Sequence, residues 1–184
     1  QQIKKTHKMK KIILSTLVLF ISLVSLAQNV SISDAKFKAY LVANTAINTN
    51  GDSEIQVSEA SAFSGAIKCN LKDIYSVSGI EAFTSLTELQ LFQNKIFGMD
   101  LSKNTALEIL ECGNNDLVNL NLSKNTALTK LSCSENDITT LDLSKNTALT
   151  ELSCSYNKFT TLDLSNNPLL TKVISGQGKI STID

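Results

Sequence analysis

The chain has 184 residues, with 17 basic residues against 17 acidic ones, four cysteines, a single histidine, no tryptophan and 42% apolar content. Every basic residue is a lysine and none form a stripe, which argues against nucleic acid or an anionic membrane as a partner. The one histidine, His7, stands so near the start that a histidine-based catalytic triad in the body of the chain is excluded.

Met9-Lys10-Lys11 leads into an apolar run from Ile12 to Leu26, and Ser25-Leu26-Ala27 precedes Gln28. These are the charged, apolar and small-residue regions of a secretory signal peptide, and a run of about fifteen residues falls short of the roughly 20 that span a bilayer. Residues 1–27 therefore read as leader and signal peptide with Met9 as the start, no membrane insertion after cleavage, and a product that is secreted or held on the outer cell surface. Without the five lysines of that segment the mature chain carries 12 lysines against 17 acids, a net charge of about −5. The roughly 157 residues that remain suffice for one core, expected as a monomer.

Residues 28–66 are expected to form a helical cap. Asp34 to Val42 places Phe37, Tyr40 and Leu41 on one helix face, with Ser33 or Asp34 available as the N-cap, and Ser58 to Phe63 reads as a second short helix. Between them, the twelve residues from Asn48 to Glu59 are dense in side-chain oxygen. They resemble an EF-hand or dockerin-type loop, a likeness that implies ligands at Asn48, Asn50, Asp52, Glu54 through its carbonyl, Gln56 through water, and Glu59 as the bidentate carboxylate. It implies a calcium ion, weakly held and structural, because Asn48 removes a charge at position one and Ser53 replaces the usual glycine at position six. The other reading is a polar helix-to-helix turn in which Asn50-Gly51 makes the bend and Ser58 caps the second helix.

From residue 67 to 184 a pattern recurs every 21 residues. Leu107, Leu128, Leu149 and Leu170 form one register; Leu110, Leu131, Leu152 and Val173 a second; Cys112, Cys133 and Cys154 a third; Asn94, Asn115, Asn136 and Asn157 a fourth. A unit this short cannot bury its own apolar face, so successive coils must stack equivalent residues into ladders. Leu131 with Cys133, and Leu141 with Leu143, have the two-residue spacing of short strands, which predicts two strands per coil. Ser102 to Leu107 and its copies read as turns, the asparagines as amides that satisfy buried backbone, and Pro168 leaves the register intact.

The Leu107-x-x-Leu110-x-Cys112-x-x-Asn115-x-Leu117 pattern resembles leucine-rich repeats of the short bacterial type, and Ser78 to Phe83 resembles the opening coils of internalin-like proteins. The resemblance implies an α/β solenoid: a right-handed coil with parallel β-strands, few helices and a small helical N-terminal cap. It covers about residue 67 onward. The first copy departs from it, with 22 residues between Cys69 and Leu91 and Lys72 at the asparagine position.

All four cysteines fall on inward positions and read as core thiols. Side chains on adjacent parallel strands are about 4.8 Å apart, whereas a disulfide wants Cβ atoms near 3.8 Å, and the spacing lacks the convergence of a zinc site. A strained bridge and a zinc site are the lesser alternatives.

The residues between the ladders face outward: Glu88, Gln90 and Phe92, then Ile109 and Glu111, then Lys130, then Glu151, with Tyr156 just beyond. Phe92, Ile109 and Tyr156 are the apolar anchors of this expected partner-binding wall. The expected function is non-catalytic recognition or adhesion, with a protein or glycan as ligand. The alternative is a structural spacer or a piece of a larger surface protein, since Ile183-Asp184 ends in phase and no polar cap follows.

Overall fold

The structure is a computed structural model that describes residues 28–176 and the backbone of residues 182–183. The expected signal peptide, residues 1–27, lies outside the described residues. Two short helices open the described chain. Helix α1 (Ala35–Ala43) is started by Asp34, whose Oδ1 accepts the N–H groups of Lys36 and Phe37 at 2.9 Å each. Its Oδ2 accepts the Tyr75 N–H at 2.8 Å, so the same carboxylate ties the helix to the first coil. Phe37 and Leu41 are fully buried, and the Tyr40 hydroxyl accepts the Lys68 N–H at 3.0 Å.

Helix α2 (Val57–Ala62) starts earlier than the sequence pattern predicts, and its N-cap is Gln56 rather than Ser58. The reason is Glu59, which reaches back to the Gln56 N–H at 3.0 Å and so caps the helix from its third position. Phe63, directly after α2, meets Phe83 edge to face at 6.4 Å, and a 3₁₀ turn at Ile80–Ala82 packs beneath it.

The body is a six-stranded parallel sheet, β1 (Ala66–Lys68), β2 (Glu88–Gln90), β3 (Ile109–Glu111), β4 (Lys130–Ser132), β5 (Glu151–Ser153) and β7 (Lys172–Ile174), in that spatial order. Partners follow the repeat: Leu89 opposes Leu110, Leu110 opposes Leu131, Leu131 opposes Leu152 and Leu152 opposes Val173. The expected second strand in every coil is not formed. Leu141 and Leu143 are buried as the two-residue spacing requires, but residues 140–143 form no ladder, and among the described residues a second ladder occurs only where β6 (Thr161–Leu162) pairs with β8 (Thr182–Ile183). Alternating burial does not by itself demand ladder hydrogen bonds, because an extended turn also points alternate side chains inward.

Two asparagine ladders run through the coil. Asn136 Nδ2 donates to the Cys112 carbonyl at 3.0 Å and the Cys133 carbonyl at 3.1 Å, while its Oδ1 accepts the Leu117 N–H at 3.0 Å; Asn94, Asn115 and Asn157 repeat the scheme. One side chain thus satisfies backbone of two consecutive coils, as burial requires. The second ladder, Asn104, Asn125, Asn146 and Asn167, sits in the segments read as turns; the first three are fully buried and Asn167 is nearly so. Asn125 Nδ2 donates to the carbonyls of Leu101 and Asn104 at 3.0 and 2.9 Å, stapling one coil to the one before it.

The coils of β2 to β5 are each turned out of their strand by one residue in the left-handed region, Gln93, Asn114, Glu135 and Tyr156 with φ between 53° and 56°, and the first coil has two, Leu71 and Asp73. This conformation costs a non-glycine residue about 1 kcal/mol. It is offset because the N–H groups of Gln93, Asn114 and Glu135 each reach a carbonyl of the next coil at 2.9 to 3.0 Å.

Candidate functional site

The strand face opposite the core presents aligned columns. One holds Glu88, Ile109, Lys130, Glu151 and Lys172; the next holds Gln90, Glu111, Ser132, Ser153 and Ile174. Just past the strands lie Phe92, Gly113, Ser134 and Ser155. Every expected partner-binding residue from Glu88 to Glu151 lies on this face, and Tyr156, 52% exposed, stands at its rim. Phe92 is 40% exposed, whereas Ile109 is partly buried between Glu88 and Lys130 and offers less apolar surface.

Charges on the face are matched in sign within it. Lys68 pairs with Glu88 at 3.0 Å, Lys130 with Glu111 at 2.7 Å and Lys172 with Glu151 at 3.6 Å. The Glu111 carboxylate holds the Lys130 ammonium above the usual lysine range. Glu88 and Glu111 occupy different columns and each has its own lysine, so they do not form the close carboxylate pair that acid–base chemistry would use. Between Phe92 and Ile174 lies a groove of about 250 Å³, floored by Ser132 and Ser153 and flanked by Glu111, Lys130, Glu151 and Lys172.

In the cap loop, Asn50, Asp52, Gln56 and Glu59 are brought together. Asn50 Nδ2 donates to Asp52 Oδ2 at 3.0 Å and to Gln56 Oε1 at 2.8 Å, and Gln56 Nε2 donates to Asp52 Oδ2 at 3.0 Å. Glu59 Oε1 accepts the N–H groups of Thr49 and Asn50 at 2.8 and 3.2 Å and the Thr49 hydroxyl at 3.0 Å. Asn48 instead turns inward, donating to the Val42 and Asp52 carbonyls at 3.0 and 2.7 Å, and the Glu54 carboxylate pairs with Lys38 at 2.6 Å. Partial burial alone would raise the Glu59 pKa; the N–H groups of Gln56, Asn50 and Thr49 and the Thr49 hydroxyl outweigh it and hold the carboxyl below its ordinary range. Among the described residues no three acids, cysteines or histidines converge as a metal cage would require; the loop brings together two carboxylates and neighbouring amides.

The four thiols are buried and unbridged. Burial pushes Cys69 and Cys112 up to about 12 and Cys154 to about 11, and Cys133, between two other thiols, higher than its ordinary value by burial first. Thiols so protonated are poor nucleophiles and poor metal ligands.

No protein-family model matches the sequence, and no curated protein matches it. Among solved structures, the functional domain of InlJ from Listeria monocytogenes, which includes a cysteine ladder, is 30% identical with a TM-score of 0.58, over 82% of this chain and 42% of that one. The internalin inlF of the same organism is 22% identical with a TM-score of 0.70, over 87% and 48%. A leucine-rich repeat protein of Leptospira interrogans is 22% identical with a TM-score of 0.56, over 65% and 33%. The fold is a leucine-rich repeat solenoid. The chain spans less than half the length of each of these structures.

The repeat pattern places Ser132 and Ser153 on the outward face but does not show the groove itself, because Lys172 and Ile174 carry no signal until the register sets them beside Glu151 and Ser153. Reading the sequence alone also missed the buried role of Asn104 and its copies, for which the exact 21-residue recurrence of an amide was the available signal.

Proposed function

We propose that the chain is a recognition module of an exported or surface protein, binding a macromolecular ligand with the outward face of β2 to β7 and carrying out no catalysis. The observation that supports this most is the aligned outer wall: a rigid, two-coil-spanning network holds side chains from successive strands in fixed columns, with Phe92 exposed among them. Buried protonated thiols and the lack of histidine among the described residues support the non-catalytic reading. Internalins among the solved structures that share the fold are consistent with a surface protein.

A direct test compares the native chain with a Phe92, Ile109 and Glu111 alanine triple variant in cross-linking to host or bacterial surface preparations, with mapping of the linked residues. Links on the strand face that the variant loses support recognition. Equal capture of both, or links confined to the opposite side, favour a spacer.

We also propose that the cap loop holds a weak structural calcium ion through Asp52, Glu59 and the amide oxygens of Asn50 and Gln56. Asn50 touches both carboxylates, which supports their convergence. Binding must displace the donors now facing these oxygens, so the affinity belongs with extracellular sites at about 10⁻⁴ to 10⁻³ M. Calcium should raise the melting temperature of the native chain, and Glu59→Gln should remove that increment; a melting temperature indifferent to both calcium and chelator rejects the ion.

A further inference from the structure

The groove between Phe92 and Ile174 has a chemistry more specific than that of a general docking wall. Its two carboxylates and two ammonium groups pair with each other, Lys130 with Glu111 at 2.7 Å and Lys172 with Glu151 at 3.6 Å, so its net charge is zero. A charged ligand drawn to one of these ions would meet its counter-ion directly beside it, so the groove offers no net attraction to either sign of charge. A neutral ligand rich in hydroxyls suits the pairs as they stand: a hydroxyl both donates and accepts, so it can bridge a carboxylate and an ammonium that already lie side by side.

The floor sets two small hydroxyl side chains, Ser132 and Ser153, beside the aliphatic Leu131 and Leu152. Ser134 and Ser153 hydrogen-bond through their Oγ atoms at 2.9 Å, and Ser132 lies beside them. At about 30 Å³ of liquid volume per water, 250 Å³ corresponds to about eight waters, room for one small ring and a few bridging waters.

One wall is aromatic, and its ring lies beside a glycine. A Cβ on Gly113 would stand 3.1 Å from the Ser134 carbonyl oxygen and 3.5 Å from Phe92 Cδ2. Without that Cβ the Phe92 ring lies against bare backbone at the groove's edge, while its own N–H donates to Asn70 Oδ1 at 2.8 Å. The ring is therefore held in place and still 40% exposed.

We infer that this groove is a subsite for a neutral sugar ring of a glycan, with the C–H face of the pyranose on Phe92 and its hydroxyls on Glu111, Lys130, Glu151 and the two floor serines. The inference rests on the recognition role proposed above and names its ligand class. No net charge changes on binding, so the interaction is nearly independent of salt, unlike capture of a sulfated or sialylated chain.

The test is an immobilised array of neutral hexose, N-acetylhexosamine, sialylated and sulfated glycans, probed with the native chain, Phe92→Ala, Phe92→Leu, Glu151→Gln and, as an off-groove control, Phe97→Ala, whose side chain is 65% exposed elsewhere. Phe92→Leu keeps an apolar group over Gly113 while removing the aromatic face, which separates loss of stacking from loss of fold. The expected result is retention of a neutral glycan at both low and high salt, weakened about tenfold or more by either Phe92 variant and by Glu151→Gln, and unchanged in Phe97→Ala. Retention of anionic glycans alone, no retention of any neutral glycan, or retention indifferent to Phe92 overturns the inference. Strand-face cross-links to a protein with an empty array would overturn the sugar subsite and leave the recognition role standing; loss of both would remove the role as well.

Discussion

The cap and the repeats solve the same problem of buried backbone in different ways. In the coils, one amide at a fixed phase satisfies groups on two consecutive turns, and the scheme is copied from Asn94 to Asn157 and from Asn104 to Asn167. In the loop from Asn48 to Glu59, side chains a few residues apart bond one another and their own backbone, and Glu59 joins the loop to the start of α2. The difference teaches where stability is concentrated. A coil residue is coupled to neighbours on both sides, so its loss propagates, whereas the loop is a local knot whose loosening need not reach β3.

The comparison is broken most severely at the ladder. Asn136→Ala removes the donor to the Cys112 and Cys133 carbonyls and the acceptor of the Leu117 N–H, all buried, and should cost about 3–5 kcal/mol in denaturant unfolding. Leu131→Ala, which empties the middle of the core column, should cost about 3 kcal/mol. Asn125→Ala loses two bonds to carbonyls and should cost about 2 kcal/mol; its Oδ1 accepts no protein hydrogen bond, so less is lost than at Asn136. An Asn125→Ala loss equal to that of Asn136→Ala would show that the two ladders are not distinguished by their second hydrogen-bonding atom.

The cap gives smaller effects with a pH signature. Glu59→Gln should cost about 1 kcal/mol near neutral pH. The folded-state carboxyl is held below its ordinary value, so its stabilisation is present above the unfolded pKa of about 4.3 and is lost as pH falls through the folded value. Native and variant melting curves should therefore converge in acid; a constant gap down to low pH would show that charge is not what Glu59 contributes. Asp73 behaves in the same direction, its carboxyl lowered to about 2 by hydrogen bonds from Lys36 and then Lys95. The smallest effect is at the thiols under native conditions: a thiol reagent should label none of the four until the coil unfolds and all four afterwards, and native labelling of Cys133 would contradict its burial.

Much of the molecule was legible before any coordinates. A strict 21-residue period allows one register only, because a slip by one residue would turn Leu110, Leu131 and Leu152 to solvent, and the strands pair as that register demands. The two-strand coil was the exception: Leu141 and Leu143 are buried by spacing, but whether their backbone bonds a neighbour depends on how closely adjacent coils approach at that corner. The boundary of α2 was missed for a related reason, since Ser58 is a good local cap and Glu59 outcompetes it only through the loop it also holds.

Residue order alone thus determined the solenoid, its buried columns and the facing of its outer wall, because periodic apolar and amide positions leave a short coil no other way to cover its core. Tertiary structure decided which outward residues become a site. Phe92, Ser153 and Lys172 stand on different coils, and only the stacking of those coils brings an aromatic face and paired charges around one groove.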